Sequence, residues 1–169
     1  KNDANVKCID SDAGYKASST YPNKVYVEGN ANNIEARYLK ILVTATNNNR
    51  AVVFNEIVIN DGEYVPVIND PTFSSSTIEK QGFEPQDMFD GNLSTIWHTS
   101  YSPYKNLPAE VIVDMNKTYD INKLTYIPRS SGTNGNITKY SLYYQVENSD
   151  EWVPIIEEGT WDGNGEEKI

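Results

Sequence analysis

A chain of 169 residues with a formal charge of -10 and no local Lys/Arg cluster is repelled by nucleic acid and by anionic lipid, which leaves neutral ligands and proteins as partners. The length holds one domain of ordinary size, or one and a fraction, and with a hydrophobic share of 38% the 12 Tyr and 3 Trp must supply much of the buried area. Cys8 has no partner for a disulfide, no apolar run approaches the roughly 18 residues that span a bilayer, and no signal peptide is recognisable.

Residues 1–21 have little period and carry Asp10, Ser11, Asp12 and Gly14, the composition of a loop or frayed lead-in. Lys24 to Val27 alternates briefly. Ala36 to Thr44, ARYLKILVT, alternates clearly: Tyr38, Lys40 and Leu42 oppose Arg37, Leu39, Ile41 and Val43, which predicts a strand with one fully buried face. After the polar turn 47–49, VVFNEIVI from Val52 to Ile59 predicts one further strand, with Glu56 set in the middle of its apolar run. A buried carboxylate is costly unless paired or metal-bound. Either this strand lies at an edge with Glu56 toward water, or Glu56 is a calcium ligand. Asn60-Asp61-Gly62-Glu63 reads as a short linking turn, Val65 to Ile68 as an edge strand broken by Pro66, and residues 70–86 as a long loop.

Asp87 to Tyr101, DMFDGNLSTIWHTSY, concentrates the chemistry of the chain. Asp90-Gly91 is a turn signal, because glycine takes positive φ without a clash and the aspartate can bond the backbone ahead of it. Asp90, Asn92, Ser94 and Thr95 then offer hard oxygens on a loop, the ligand type calcium prefers, although no glutamate falls where an EF-hand needs one. Ile96 and Trp97 anchor the exit. His98 is the only histidine, which excludes a metal site built on paired histidines, and no GxSxG elbow accompanies it. A lone histidine is as a rule structural; Tyr101, three residues on, makes a binding role worth weighing.

Glu110 to Asp114, Lys123 to Ile127, Thr138 to Val146 and Trp152 to Ile156 read as further strands, with a turn at Asn148-Ser149-Asp150. Arg129 follows Pro128 at a strand end, so its direction is pinned; its five donors suit two vicinal hydroxyls, or equally a surface salt bridge. No segment has helical period. Many short strands between turn signals predict an all-β sandwich. No pair of acids is placed to flank a glycosidic bond, so the chain is not expected to be an enzyme.

The run FDGNLSTIWHTSYSP resembles the signature of discoidin, or coagulation factor type C (F5/8 type C), domains, and within them the family 32 carbohydrate-binding modules of bacterial secreted enzymes. The resemblance continues through residues 111–161. It implies a discoidin-type, jelly-roll-like β-sandwich with a structural Ca2+ and a sugar pocket at one end. It also implies calcium ligands Asp90, Asn92 and Thr95, completed by Glu56 from the closing strand. In the sugar pocket it implies His98 bonding a hydroxyl and Tyr101 stacking beneath the ring, where tryptophan is common. Arg129 and an asparagine would complete the pocket, the loop length leaving Asn134, the first choice, and Asn136 as alternatives.

One departure stands out. ARYLKILV and FNEIVI resemble the final strands of such a module, yet precede the DG turn. Two arrangements account for this. Residues 22–169 form one sandwich whose closing strands, 22–61, come before 65–169; or 1–61 ends one module and 65–169 begins the next. The first is expected, because a half-sandwich exposes bare strand edges and a bare core face. It requires Glu56 and Asp90 to bind one ion. The chain also begins without methionine, as expected of a piece of something longer. The functional expectation is non-catalytic binding of galactose, N-acetylgalactosamine or N-acetyllactosamine by a secreted or cell-surface module that targets a larger glycan-active enzyme. The alternative is a protein or cell-surface adhesion module without a sugar site.

Overall fold

In the computed structural model, which describes residues 24–25, 34–60, 72–77, 79–100 and 106–169, the alternating stretches become strands and no α-helix forms among these residues. The strands are β1 (Lys24–Val25), β2 (Ile34–Thr46), β3 (Val53–Phe54), β4 (Glu56–Ile59), β5 (Thr72–Ser75), β6 (Trp97–His98), β7 (Ala109–Ile121), β8 (Leu124–Ile127), β9 (Ile137–Gln145), β10 (Val153–Thr160) and β11 (Glu167–Lys168). A five-stranded antiparallel sheet has the order β10-β9-β2-β7-β5. It faces a sheet of order β1-β11-β8-β4, in which β1 runs parallel to β11 and the other pairings are antiparallel. β3 and β6 pair separately. No helix among the described residues is long and apolar enough to cross a membrane.

The expected β-sandwich is therefore the architecture found. Strands from the first third of the chain are built into both sheets: β2 lies between β7 and β9, and β4 borders β8. Leu39, Ile41 and Val43 of β2 meet Ile57 and Ile59 of β4, Val111 and Val113 of β7 and Tyr126 of β8 in one apolar core. Each such aliphatic side chain contributes about 1.5–3 kcal/mol when fully buried.

Three expectations need correction. First, Arg37 does not share the buried face of Leu39. A register shift between Ala36 and Tyr38, across which β7 runs three residues more than β2, breaks the alternation, so Ala36 is buried and Arg37 is directed outward, where it grips Asp114 through Nε (3.0 Å) and Nη2 (3.2 Å) and Glu147 through Nη1 (2.8 Å). Second, VVFNEIVI is two strands. Asn55 is buried and donates its backbone N–H to Ile127 O (2.9 Å) and its side-chain amide to Thr95 O; the chain changes sheets there. Third, the loop expected over 70–86 contains β5, which caps the five-stranded sheet by pairing with Asp114 to Val111 of β7. The segment 1–21 with Cys8, the turn from Asp61 onward, and Val65 to Ile68 lie outside the described residues.

A second aromatic layer closes one flank. Trp161 stacks on Tyr140 (ring centroids 3.9 Å apart) and on Tyr126 (5.1 Å). Gly159, directly opposite Tyr140 on β10, makes room for that ring: a Cβ there would sit 2.4 Å from it. Gly159→Ala should therefore destabilise the fold by about 1–3 kcal/mol through overpacking, read from the urea midpoint, with a change in tryptophan emission as the stack shifts. An unchanged midpoint would show that the ring yields freely.

Candidate functional site

The Asp90-Gly91 turn forms as its residues dictate. Gly91 takes φ 71°, and Asp90 Oδ1 accepts from Asn92 N at 2.8 Å. Asn92 repeats the device one step on, its Oδ1 accepting from Ser94 N at 3.0 Å. The Thr95 hydroxyl lies 2.8 Å from Asp90 Oδ2 and 2.7 Å from the Asn92 carbonyl oxygen. Glu56 closes the loop from the other side of the chain.

Glu56 is 2% exposed although β4 is an edge strand, so it does not face water as an edge position allows. Its Oε1 accepts from Asn92 N at 3.2 Å, and its carboxyl is hydrogen-bonded to that of Asp90. Burial, followed by the bond and the like charge of Asp90, pushes its pKa up to about 8. Burial acts on Asp90 in the same sense, but the bonds from Glu56, Thr95 and Asn92 win and hold it below the usual carboxylate range. Their acidities are thus pushed apart, Glu56 holding its proton more tightly than Asp90. Among the described residues no cluster of three or more His, Cys, Asp and Glu comes together. A cation here would meet two carboxylates and neutral oxygens, a donor set that fits a hard ion and not a soft one.

His98 in β6 is 3% exposed. Its Nδ1 donates to Thr99 O at 2.5 Å, which makes Nε2 the acceptor nitrogen. Burial, reinforced by Arg129 and Lys80, lowers its pKa and keeps the ring neutral. The Phe83 ring meets it edge-on, 6.1 Å between centroids. Arg129 is half-buried; its Nη1 reaches Asn134 O only at 3.4 Å, and its Nε has no hydrogen-bond partner. The two candidate asparagines separate. Asn134 is exposed beside Arg129, whereas Asn136 is 0% exposed and donates its amide to Gly163 O (3.3 Å) and Asn164 O (2.8 Å), so no solute can reach it. Tyr101 lies outside the described residues.

Asn136 is a buttress. The loop it grips, 162–166, brings Asp162 and Asn164 to the ammonium of Lys168, itself 1% exposed, at 3.1 Å from Asp162 Oδ1 and 2.6 Å from Asn164 Oδ1, while Glu166 Oε2 accepts from the Asn164 amide at 3.2 Å. The opposite side of the Arg129 turn is held by Asn47, which accepts from Gly135 N at 3.0 Å, and by Val53, whose Cγ2 leaves no room for a Cβ on Gly135.

A cleft of about 420 Å³ opens beside Arg129, walled by Phe83, Asp87, Leu93, Thr95, Ile96 and Ser131 among others. Of the lining, sequence reasoning reached Arg129 as a sugar ligand, Ser94 and Thr95 as loop oxygens and Ile96 as an anchor. The signal available for the rest was weak: an aromatic directly after the Gln81-Gly82 turn.

A sequence model of the F5/8 type C domain matches residues 72–169, more than half of the chain. The chain belongs to the F5/8 type C domain family. Over 57 residues this F5/8 type C module is 44% identical to part of an A type blood N-acetyl-alpha-D-galactosamine deacetylase of Flavonifractor plautii, covering 34% of the module and 7% of the relative. It is 31% identical over 85 residues to a galactose oxidase of Gibberella zeae (48% and 12%), and 28% identical over 92 residues to a sialidase of Micromonospora viridifaciens (53% and 12%). The module thus spans about a tenth of the length of these relatives.

The carboxyl pair gives the module a pH signature. The folded pKa of Glu56 is raised, so its contribution to stability is whole below pH 4.5 and is lost as the pH climbs through about 8. His98, whose pKa is lowered, runs the other way, its contribution growing as the pH rises toward 6.5. Subtracting the unfolding free energy of Glu56→Gln removes the His98 part. In chelator-containing buffer the difference, wild type minus variant, should fall by a few kcal/mol across that range. A flat difference would mean that Glu56 ionises as easily folded as unfolded.

Proposed function

We propose that the module is a non-catalytic, calcium-stabilised carbohydrate-binding unit that takes terminal galactose, N-acetylgalactosamine or N-acetyllactosamine and tethers a larger secreted or surface-bound enzyme to glycans. The observation that carries this reading is the Arg129 guanidinium, a rigid fork with an unpartnered Nε, set beside neutral His98 and exposed Asn134 at the edge of a cleft. Arg129 and Asn134 would donate to vicinal hydroxyls, and His98 Nε2 would accept from the axial O4 of a galactose-configured ring. An isomer that left those groups unpaired would be rejected. Relatives named for N-acetylgalactosamine and for galactose agree with such a ligand.

Calcium would replace the proton that Glu56 holds beside Asp90, with Asn92 and Thr95 adding neutral oxygens; what it supplies is charge neutralisation at a buried joint. The pair itself is committed to the loop, both carboxyls accepting from Asn92 N, and is not set apart to flank a glycosidic bond.

Calcium should raise the melting temperature of the wild type and leave that of Glu56→Gln unmoved. Arg129→Ala should weaken retention on a galactosyl matrix at least about tenfold, the scale of a lost charged hydrogen bond, with the melting temperature nearly constant. A glycan array with no bound sugar in the presence of calcium would overturn the reading and favour an adhesion module. A large loss of stability in Arg129→Ala would assign that residue to the scaffold.

A further inference from the structure

We propose that the Asn134-Gly135 peptide is a deamidation site, and that Asn47 is the guard that keeps Asn134 an amide while the chain is folded. The argument starts from local chemistry. An exposed asparagine followed by glycine loses its amide without an enzyme, because glycine has no side chain to hinder the attack. The Gly135 nitrogen would bond to Asn134 Cγ, the Cγ–Nδ2 bond would break, and ammonia would leave with the Gly135 proton. Water then opens the resulting succinimide at either imide bond, giving aspartate or, with the main chain rerouted through Cγ, isoaspartate. The reactants are in place: Asn134 is exposed, and its side-chain amide is unbonded among the described residues. Nor can the fold dispense with Gly135, which takes φ 90° and where a Cβ would lie 2.6 Å from Val53 Cγ2.

What restrains the reaction is the position of the attacking nitrogen. Gly135 N–H donates to Asn47 Oδ1 at 3.0 Å, which holds its proton and aims it away from the Asn134 side chain. Asn136 N donates to Thr133 O at 3.0 Å, closing a turn whose third residue is a glycine at positive φ, the pattern of a type II turn. There the residue before the glycine has ψ of about +120°, whereas a five-membered imide ring on an L-residue requires ψ of the opposite sign. Asn134 therefore reacts only when the turn opens, and opening it breaks the bond to Asn47. The other Asn-Gly pair is held differently. Asn164 Oδ1 accepts from Glu166 N (2.8 Å) and Lys168 Nζ (2.6 Å), and its Nδ2 donates to Asp162 Oδ2 (2.6 Å) and Glu166 Oε2 (3.2 Å), so the amide itself is tied down. The consequence of deamidation for the pocket rests on the carbohydrate-binding reading above. A carboxylate at 134 would stand beside Arg129, whose Nη1 already reaches the Asn134 carbonyl oxygen at 3.4 Å, and would compete with a sugar for its donors. Isoaspartate would add a main-chain atom to a turn pinned at Asn47, Thr133 and Asn136.

Incubation of the folded chain in mildly alkaline buffer, followed by peptide mapping that counts aspartate and isoaspartate at 134 and 164 by mass spectrometry, tests the assignment without any sugar. Asn47→Ala should convert Asn134 about fivefold faster than the wild type, the scale of one lost neutral hydrogen bond. Asn47→Asp keeps an acceptor for Gly135 N and loses only the 3.4 Å contact from Asn47 Nδ2 to Gly163 O, so its rate should stay at or below that of the wild type. Conversion at Asn164 should be the same in all three chains. Equal rates at Asn134 in the wild type and Asn47→Ala overturn the guard, as does a parallel rise at Asn164, which would mark general loosening. A glycan array with no bound sugar leaves these rates as they are and counts against the parent reading alone.

Discussion

The rest of the site depends on one awkward carboxyl. Glu56 sits inside an apolar strand with water excluded, so burial disfavours its ionised form and the neighbouring Asp90 disfavours it further. The contact with Asp90 does not stand alone. Four consecutive residues zip onto the segment running the other way: Val53 opposite His98, Phe54 opposite Trp97, the Asn55 amide on Thr95 O, and Glu56 on Asp90 and Asn92 N. A single strand reversal in the 50s thereby sets the oxygen-rich loop, the buried tryptophan and the histidine in one register. Moving Glu56 would move all of them.

On the far side of the cleft the logic is different. Arg129 leaves β8 through Pro128, and its turn is clamped between Asn47 and Val53 on one side and Asn136 on the other. The backbone of the turn is held from both sides, while the guanidinium itself makes one long Nη1 contact and its Nε none. A fixed turn sets where the side chain starts, which reduces the ordering that any contact made by it must overcome.

How much of this was legible beforehand depended on whether a feature was local. The alternation of β2 and β9 and the DG turn are local patterns, and they were readable. So was the oddity of Glu56, because a charge in an apolar run is visible without coordinates. Arg37 was misplaced because a bulge shifts parity by one residue and leaves no mark in composition. Asn55 ended a strand that periodicity would continue, for it is a long-range bond to Ile127 that turns the chain there. Asn134 and Asn136 were alternatives because loop length alone does not say which of the two faces out; Gly135 between them takes φ 90°, and the structure leaves Asn134 exposed and Asn136 buried against the 162–166 loop. Phe83 and Asp87 gained their place only through the convergence of loops that no single window contains.

The Lys168 loop adds a last consequence. Asp162 and Asn164 meet a positive charge that the chain itself provides, and Glu166 is tied in through the Asn164 amide. The loop of Asp90 is built differently: Asn92 N and the Thr95 hydroxyl donate to its acid, and Glu56 opposite keeps its own proton the more tightly. One loop is thus closed by an ion pair that the chain supplies, the other by hydrogen bonds.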